Sequence, residues 1–169
     1  MVTPRPSPGI TVRLASLSEP GDADPYRRLL DAYAQDPMGQ NAPLPGTVLD
    51  RVIADLSHHP AARVFLAEQK GKACGFATCF LGDSTFRGRP LLNVHDIAVL
   101  PQWRGRGIAR AILGAVANHA RAEGCCRITL EVRDDNPAAK ALYHSEGFGA
   151  AVTDEGNQVQ YLFMEKPLA

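Results

Sequence analysis

The segment Val99-Leu-Pro-Gln-Trp-Arg-Gly-Arg-Gly-Ile-Ala-Arg110 joins two strongly patterned stretches of chain. Before it, residues 91–100 (LLNVHDIAVL) form an apolar run broken only by Asn93, His95 and Asp96, which reads as a strand. After it, Ile108, Ile112, Val116 and Ala120 recur at a spacing of four, which predicts a helix over about 105–123 with Gly124 near its C-cap. A strand that passes through Gly105-x-Gly107 directly into a helix places the chain among mixed α/β folds.

The flanking pattern extends this. Residues 10–16 alternate and read as a strand, and residues 24–35 as a helix with Asp24 as cap and Pro25 at its first position. Residues 45–57 predict a second helix with Val48, Val52, Ile53 and Leu56 on one face, ended by His58-His59-Pro60. Residues 62–69 and 73–82 read as a hairpin about Gly71-Lys72, joined by residues 84–90 to the strand at 91–100. A strand at 126–132, a short helix at 136–147 and a closing strand pair at 149–154 and 158–167 complete the order β-α-α-β-β-β-α-β-α-β-β.

A chain of 169 residues, 45% hydrophobic, is long enough for one well-filled core, so a single domain is expected over 10–169, with the proline-rich residues 1–9 as a loose tail. Its 18 basic and 18 acidic residues balance, so no global field draws nucleic acid, and an anion site must be local. Nothing near Met1 has a charged segment followed by an apolar stretch, and no apolar run is long enough to span a bilayer, so the expectation is a cytoplasmic protein without membrane contact. Cys74, Cys79, Cys125 and Cys126 lack the paired spacing of zinc ligands, and no metal site is expected; they read as small apolar residues.

The glycine turn has its own chemistry. The first four N–H groups of a helix lack partners within it, and the macrodipole adds partial positive charge at that end. Gly105 and Gly107 remove β-carbons that would hold a ligand away, while Arg104, Arg106 and Arg110 supply guanidinium groups. A P-loop is excluded because no Gly-Lys-Ser or Gly-Lys-Thr occurs, and the dinucleotide fingerprint fails at Arg110. A tight connecting turn and a phosphate cradle remain as readings.

Gln102-x-x-Gly105-x-Gly107, followed by Ile108-Ala109, resembles the Q/R-x-x-G-x-G/A motif of the GNAT superfamily of acetyl-CoA-dependent N-acetyltransferases. Asn136 to Phe148 (NPAAKALYHSEGF) is similar to that superfamily's N-x-x-A-x-x-x-Y-x-x-x-G-F segment, and the resemblance extends over roughly residues 10–167. It implies a mixed, mostly antiparallel sheet of about seven strands flanked by about four helices. It also implies acetyl-CoA as co-substrate, its pyrophosphate held by Gln102, Arg104, Gly105, Arg106, Gly107, Ile108 and Ala109, and its pantetheine by main-chain groups of Ile97 and Val99 and by Asn136. Tyr143 matches the usual general acid beside the CoA sulfur, and a homodimer is expected from the resemblance.

Acetyl transfer requires a neutral amine, and a lysine-like amine with pKa about 10.4 is neutral in roughly one molecule per thousand at pH 7. His95 is the candidate base, because an imidazole titrates near neutrality; a hydrogen-bonded strand histidine is the alternative. Simple alternation puts Asn93, His95, Ile97 and Val99 on one face and Val94, Asp96 and Ala98 on the other, provided no bulge intervenes. Asp96 is a substrate-ammonium anchor or a carboxylate paired with arginine. Asn93 and Phe86 are further acceptor-site candidates, Phe86 lying in the Ser84–Pro90 loop. Residues 84–99 (STFRGRPLLNVHDIAV) are also similar to the diamine and thialysine acetyltransferase subgroup, with His95-Asp96 where Glu-Asp is typical. The expected activity is acetyl transfer to a primary amine of a small molecule by direct attack in a ternary complex. The alternatives are a non-catalytic acyl-CoA sensor and a protein N-terminal acetyltransferase.

Overall fold

The computed structural model describes residues 9–152, 158–159 and 164–168. It forms two compact units that divide between Leu130 and Glu131. The first contains β1 (Ile10–Leu14), α1 (Pro20–Gln35), α2 (Gly46–His58), β2 (Ala62–Gln69), β3 (Lys72–Ser84), β4 (Arg89–Val99), a single 3-10 turn (Pro101–Trp103), α3 (Ile108–Ala122) and β5 (Ile128–Leu130). The second contains α4 (Pro137–Ser145), β6 (Ala151–Val152) and β7 (Gln158–Val159). The order of strands and α-helices is the expected one.

The sheet is narrower than expected. Five strands, not about seven, line up as β1-β2-β3-β4-β5 among the described residues, antiparallel throughout except for the parallel pair β4-β5. The reason lies in strand length: β5 has three residues rather than the seven expected at 126–132 and pairs only with Leu92–Val94 of β4. β6 and β7, two residues each, pair with each other in a separate two-stranded sheet, Ala151 opposite Val159 and Val152 opposite Gln158. Of the expected closing strands at 149–154 and 158–167, residues 149–150 and 164–167 are irregular and not strand, while 153–154 and 160–163, with the connection between the two strands and the tail up to residue 8, lie outside the described residues.

Alternation along β2, β3 and β4 gives the five-stranded sheet two apolar faces. On one, Phe65, Ala77, Cys79, Leu92 and Val94 meet the stripe Ile108, Ile112, Val116 and Ala120 of α3, whose members are 3% exposed or less. On the other, Val64, Leu66 and Phe76 meet Tyr26, Leu29 and Leu30 of α1 and Leu49 of α2. Burial of each large side chain contributes about 1.5–3 kcal/mol, so helices on both faces are required to hold the sheet. In α2 the buried anchor is Leu49, while Val48, expected to face the core, is 39% exposed. The β2-β3 hairpin turns at Lys70-Gly71, both at positive φ, one residue before the expected Gly71-Lys72.

Helix α1 starts four residues before the expected Asp24 cap. Pro20 occupies its first position, Glu19 is the N-cap, and Pro25 lies inside the helix. Asp22 fixes this early start: Oδ1 accepts from Arg13 Nη2 at 2.7 Å and Oδ2 accepts from the Ser16 N–H at 2.7 Å. Arg13 also donates to Glu68 at 3.0 Å, which ties the first turn of α1 to β1 and β2. The hydrogen bond from Arg13 and that from Ser16 hold the Asp22 carboxyl below its ordinary value. A lowered carboxylate stabilises the fold above its unfolded pKa and loses that contribution as pH falls through the lower folded value. We therefore expect Asp22→Asn to cost about 1–2 kcal/mol at neutral pH, and its stability difference from wild type to shrink as pH falls below about 4, as read by urea unfolding at several pH values.

Candidate functional site

The centre of the first unit is an irregularity in β4. Its register against β3 pairs Cys79 with Val94 but Thr78 with Asp96, so His95 is an extra residue, a β-bulge. The bulge overturns simple alternation. Val94 now shares the α3-facing side with Ile97 and Val99, and Asp96 shares the α1-facing side with Ala98 and Asn93, opposite Thr78, Phe76 and Phe80. His95 joins that second side, its ring 5.6 Å from Phe80 at 79°, while His59 meets the same Phe80 ring at 5.3 Å. Asn93, His95 and Asp96, expected on two faces, are thereby gathered on one.

The bulge also opens the outer edge of β4. β5 pairs only as far as Val94, so beyond the bulge no strand covers that edge among the described residues. The Leu100 N–H donates to Cys74 O at 2.9 Å. Two-residue alternation then turns Ala98 toward β3 and directs the N–H and C=O groups of Ile97 and Val99 to the open edge. That edge runs into the 3-10 turn and the glycine loop, where Gly105 and Gly107 stand at φ 73° and 78°. Other residues pay about 1–2 kcal/mol for such left-handed backbone. Gly107 is the N-cap of α3 and brings no side chain, leaving the helix start to main-chain N–H groups; its carbonyl accepts the Ala111 N–H at 2.9 Å. Ile108 is buried, Ala109 half-buried, and Gln102 and Arg110 exposed.

The arginines of the loop divide. Arg106 lies over the Trp103 ring at 5.0 Å and donates to Gln102 O at 3.2 Å, an exposed guanidinium steadied by stacking. Arg104 instead donates from Nε to Val99 O at 3.0 Å and from Nη2 to Asp36 Oδ2 at 2.6 Å.

On the acceptor side, Asn93 Nδ2 donates to Thr129 Oγ1 across the β4-β5 pair at 3.1 Å. Burial raises the Asp96 carboxyl above its ordinary value, and the neighbouring His95 charge pulls the other way. Asp96 is not in an ion pair with arginine among the described residues, which disfavours one of its two expected roles. Its charge also adds to the burial that raises Tyr26, whose hydroxyl lies 2.8 Å from Thr78 Oγ1, and that pushes the Cys79 thiol up to about 12. Phe86 is fully exposed at the β3-β4 turn, separated from Asp96 by seven strand residues, roughly 20 Å.

In the second unit, Asn136 is the N-cap of α4, its Oδ1 accepting the Ala139 N–H at 3.0 Å. Pro137 follows at the first helical position. Tyr143 is 9% exposed, its ring packed edge-on against Phe148 at 5.8 Å, and its carbonyl accepts the Phe148 N–H at 2.9 Å.

Sequence patterning gave no site role to Thr78, Phe80, Tyr26, His59 or Asp36. Thr78 carried one legible signal, a polar residue between Phe76 and Phe80 on a buried face. Because Asp96 is raised by burial, its folded form favours the protonated carboxyl; that contribution is complete below the ordinary value of 3.8 and is lost as pH rises through the raised value. Asp96→Asn should accordingly melt higher than wild type near pH 8, with the gap narrowing toward pH 4, in thermal unfolding followed by circular dichroism.

Residues 26–148 match the acetyltransferase (GNAT) family. An N-alpha-acetyltransferase MAK3 of Arabidopsis thaliana is 38% identical over 86 residues, 50% of this chain and 43% of that protein. A thialysine N-epsilon-acetyltransferase of Bos taurus is 35% identical over 82 residues, 48% of each chain. The chain spans less than half the length of either relative. Among solved structures, the aminoglycoside N-acetyltransferase AAC(6')-Iy in complex with CoA superimposes with a TM-score of 0.71 at 20% identity, covering 98% of this chain and 99% of that one. A bulged strand with an open edge, a glycine loop at a helix start and a match over most of the chain agree: the chain belongs to the acetyltransferase (GNAT) family.

Proposed function

We propose that this protein transfers an acetyl group from acetyl-CoA to a primary amine of a small molecule, of amino acid or diamine type, by direct attack in a ternary complex. One observation carries the reading: the outward N–H and C=O groups of Ile97 and the outward N–H of Val99 stand on an uncovered edge that continues through the 3-10 turn into the loop of Gly105 and Gly107 and the start of α3, while Arg104 holds the Val99 carbonyl. An edge strand followed by a helix N-terminus suits an extended amide-bearing arm that ends in a pyrophosphate. The cradle fits because an added β-carbon at Gly105 would meet open space, so the loop is clear of protein there. Acetyl-CoA supplies the activated thioester.

Gln102, Gly105, Arg106, Gly107, Ile108 and Ala109 hold the pyrophosphate, mainly through main-chain N–H groups. The N–H of Ile97 or Val99 stabilises the developing carbonyl oxyanion; a fixed dipole needs no reorganisation during reaction. Asp96 anchors the substrate ammonium and His95 takes its proton, directly or through water, with Asn93 contacting the acceptor. The raised Asp96 suits an anchor, because a cation bound there offsets the burial of its charge. Phe86 belongs to the acceptor site only if its hairpin moves, and we assign it no contact. Tyr143 donates its hydroxyl proton to the departing thiolate, and Asn136 binds the pantetheine with its amide nitrogen, its oxygen being committed to the α4 cap.

The same proposal takes residues 10–169 as one N-acetyltransferase domain and the protein as a cytoplasmic homodimer; among the described residues no helix is long and apolar enough to cross a membrane. Similarity to an N-alpha-acetyltransferase favours including peptide N-termini as a second acceptor class. Release of CoA thiol with a panel of diamines, thialysine-like amino acids and peptides tests the reading; no release with any amine would leave a CoA-binding sensor. Tyr143→Phe should lower kcat about 100-fold or more with CoA affinity retained, whereas Gly107→Glu should abolish CoA binding in calorimetry. An unchanged kcat in Tyr143→Phe would remove Tyr143 from the reaction.

A further inference from the structure

The least expected contact of the glycine loop is between residues 68 positions apart, Arg104 and Asp36. Asp36 caps the C-terminus of α1, and its side chain is only 10% exposed although it lies at the start of a loop. Its two oxygens are both spoken for: Oδ2 accepts from Arg104 at 2.6 Å and Oδ1 accepts the Met38 N–H at 2.9 Å. Those two bonds hold its carboxyl below the ordinary range. The loop that follows is wound tightly onto α1. Gln40 and Ala42 donate their N–H groups to Ala34 O, Leu44 donates to Asp31 Oδ1 at 2.8 Å, and an added β-carbon at Gly39 would collide with the Tyr33 carbonyl. On its other side Arg104 grips Val99 O, one of the groups on the open edge of β4. The guanidinium thus joins two segments, the α1-α2 loop and the outer edge of β4, of which the second carries the proposed pantetheine path.

We propose that Arg104 is a positioning residue and not a phosphate ligand: it fastens the α1-α2 loop, through Asp36, to the Val99 edge, so that CoA binding and the order of residues 36–44 are one coupled equilibrium. This rests on the proposed function, in that the open edge of β4 binds CoA. With its carbonyl held by Arg104, the Val99 peptide presents its N–H to the open edge, so a ligand that accepts from that N–H favours the fastened geometry of Arg104, and by reciprocity the fastened loop favours the ligand. Arg106, stacked on Trp103 without a carboxylate partner in its described contacts, is left as the phosphate-facing charge of the loop.

The two roles predict opposite signs. If Arg104 were a phosphate ligand, Asp36→Asn would remove a competing negative charge and tighten CoA binding. If Arg104 is a strut, the same change loosens the loop and weakens CoA binding. Calorimetric titration of CoA into the full chain decides this with wild type, Asp36→Asn, Arg104→Gln, the double variant and Arg106→Gln. The expected result is a weakening of about tenfold in each of the two single variants, with the double variant no weaker than either. Salt adds a second readout: Arg106→Gln should flatten the dependence of CoA affinity on ionic strength, while Asp36→Asn and Arg104→Gln should leave its slope close to wild type. Amide hydrogen exchange supplies a third, with Met38, Gln40 and Ala42 protected further by CoA in wild type but not in Asp36→Asn. Equal or tighter CoA binding by Asp36→Asn, or additive losses in the double variant, would overturn the strut. Failure of the wild type to bind CoA would instead overturn the proposed function beneath it.

Discussion

One extra residue in one strand organises the first unit. With His95 bulged out of β4, the strand turns a different side toward α3 before and after that point and parts from β5 at Val94. The open edge and the clustering of Asn93, His95 and Asp96 on one face both follow from that single register shift. A bulge costs local ladder bonds, and the surrounding packing over-determines it: Val94 is clamped between β3 and α3, and Ala98 is paired to Phe76 on the other side of the irregularity. The polar residues that the shift gathers on one face are therefore held by apolar neighbours on both flanks.

The electrostatics follow the same division. Carboxylates paired with arginine, Asp22 and Asp36, are pulled down and serve as fasteners between segments. Asp96, which has no guanidinium beside it among the described residues, is pushed up by burial. A carboxylate whose environment penalises its charge is suited to meet a cation that arrives with a substrate, whereas one already satisfied by arginine is not. The contrast separates structural acids from the candidate acceptor anchor without reference to their order in the chain.

Much of this was legible in the residues, and the limits are instructive. The order of elements and the Gly105-x-Gly107 turn could be read because periodicity and left-handed glycines are local properties. The bulge could not, since β4 alone is compatible with unbroken alternation and only its pairing with β3 exposes the extra residue. Pro25 looked like a helix start because proline suits that position, yet Pro20 suits it equally, and the decision came from Asp22 meeting Arg13 and Ser16. Arg104 looked like its neighbour Arg106 in sequence, and Asp36, 68 residues away, gives it a different partner. The order of elements and the glycine turn, read from local pattern, held; the start of α1, the extent of β5 and the faces of β4, which depend on which distant segment arrives alongside, did not.

The central claim is that the main chain of the β4 edge and the glycine loop, and not the arginine side chains as such, receives CoA. Backbone amide chemical shifts of the full chain titrated with CoA test it most directly. The account predicts that the largest changes fall on the N–H groups of Ile97, Val99, Gly105, Gly107 and Ile108, with the Ile97 and Val99 amides newly protected from exchange. Changes confined to exposed arginine side chains, with those five amides unmoved at saturating CoA, would contradict it.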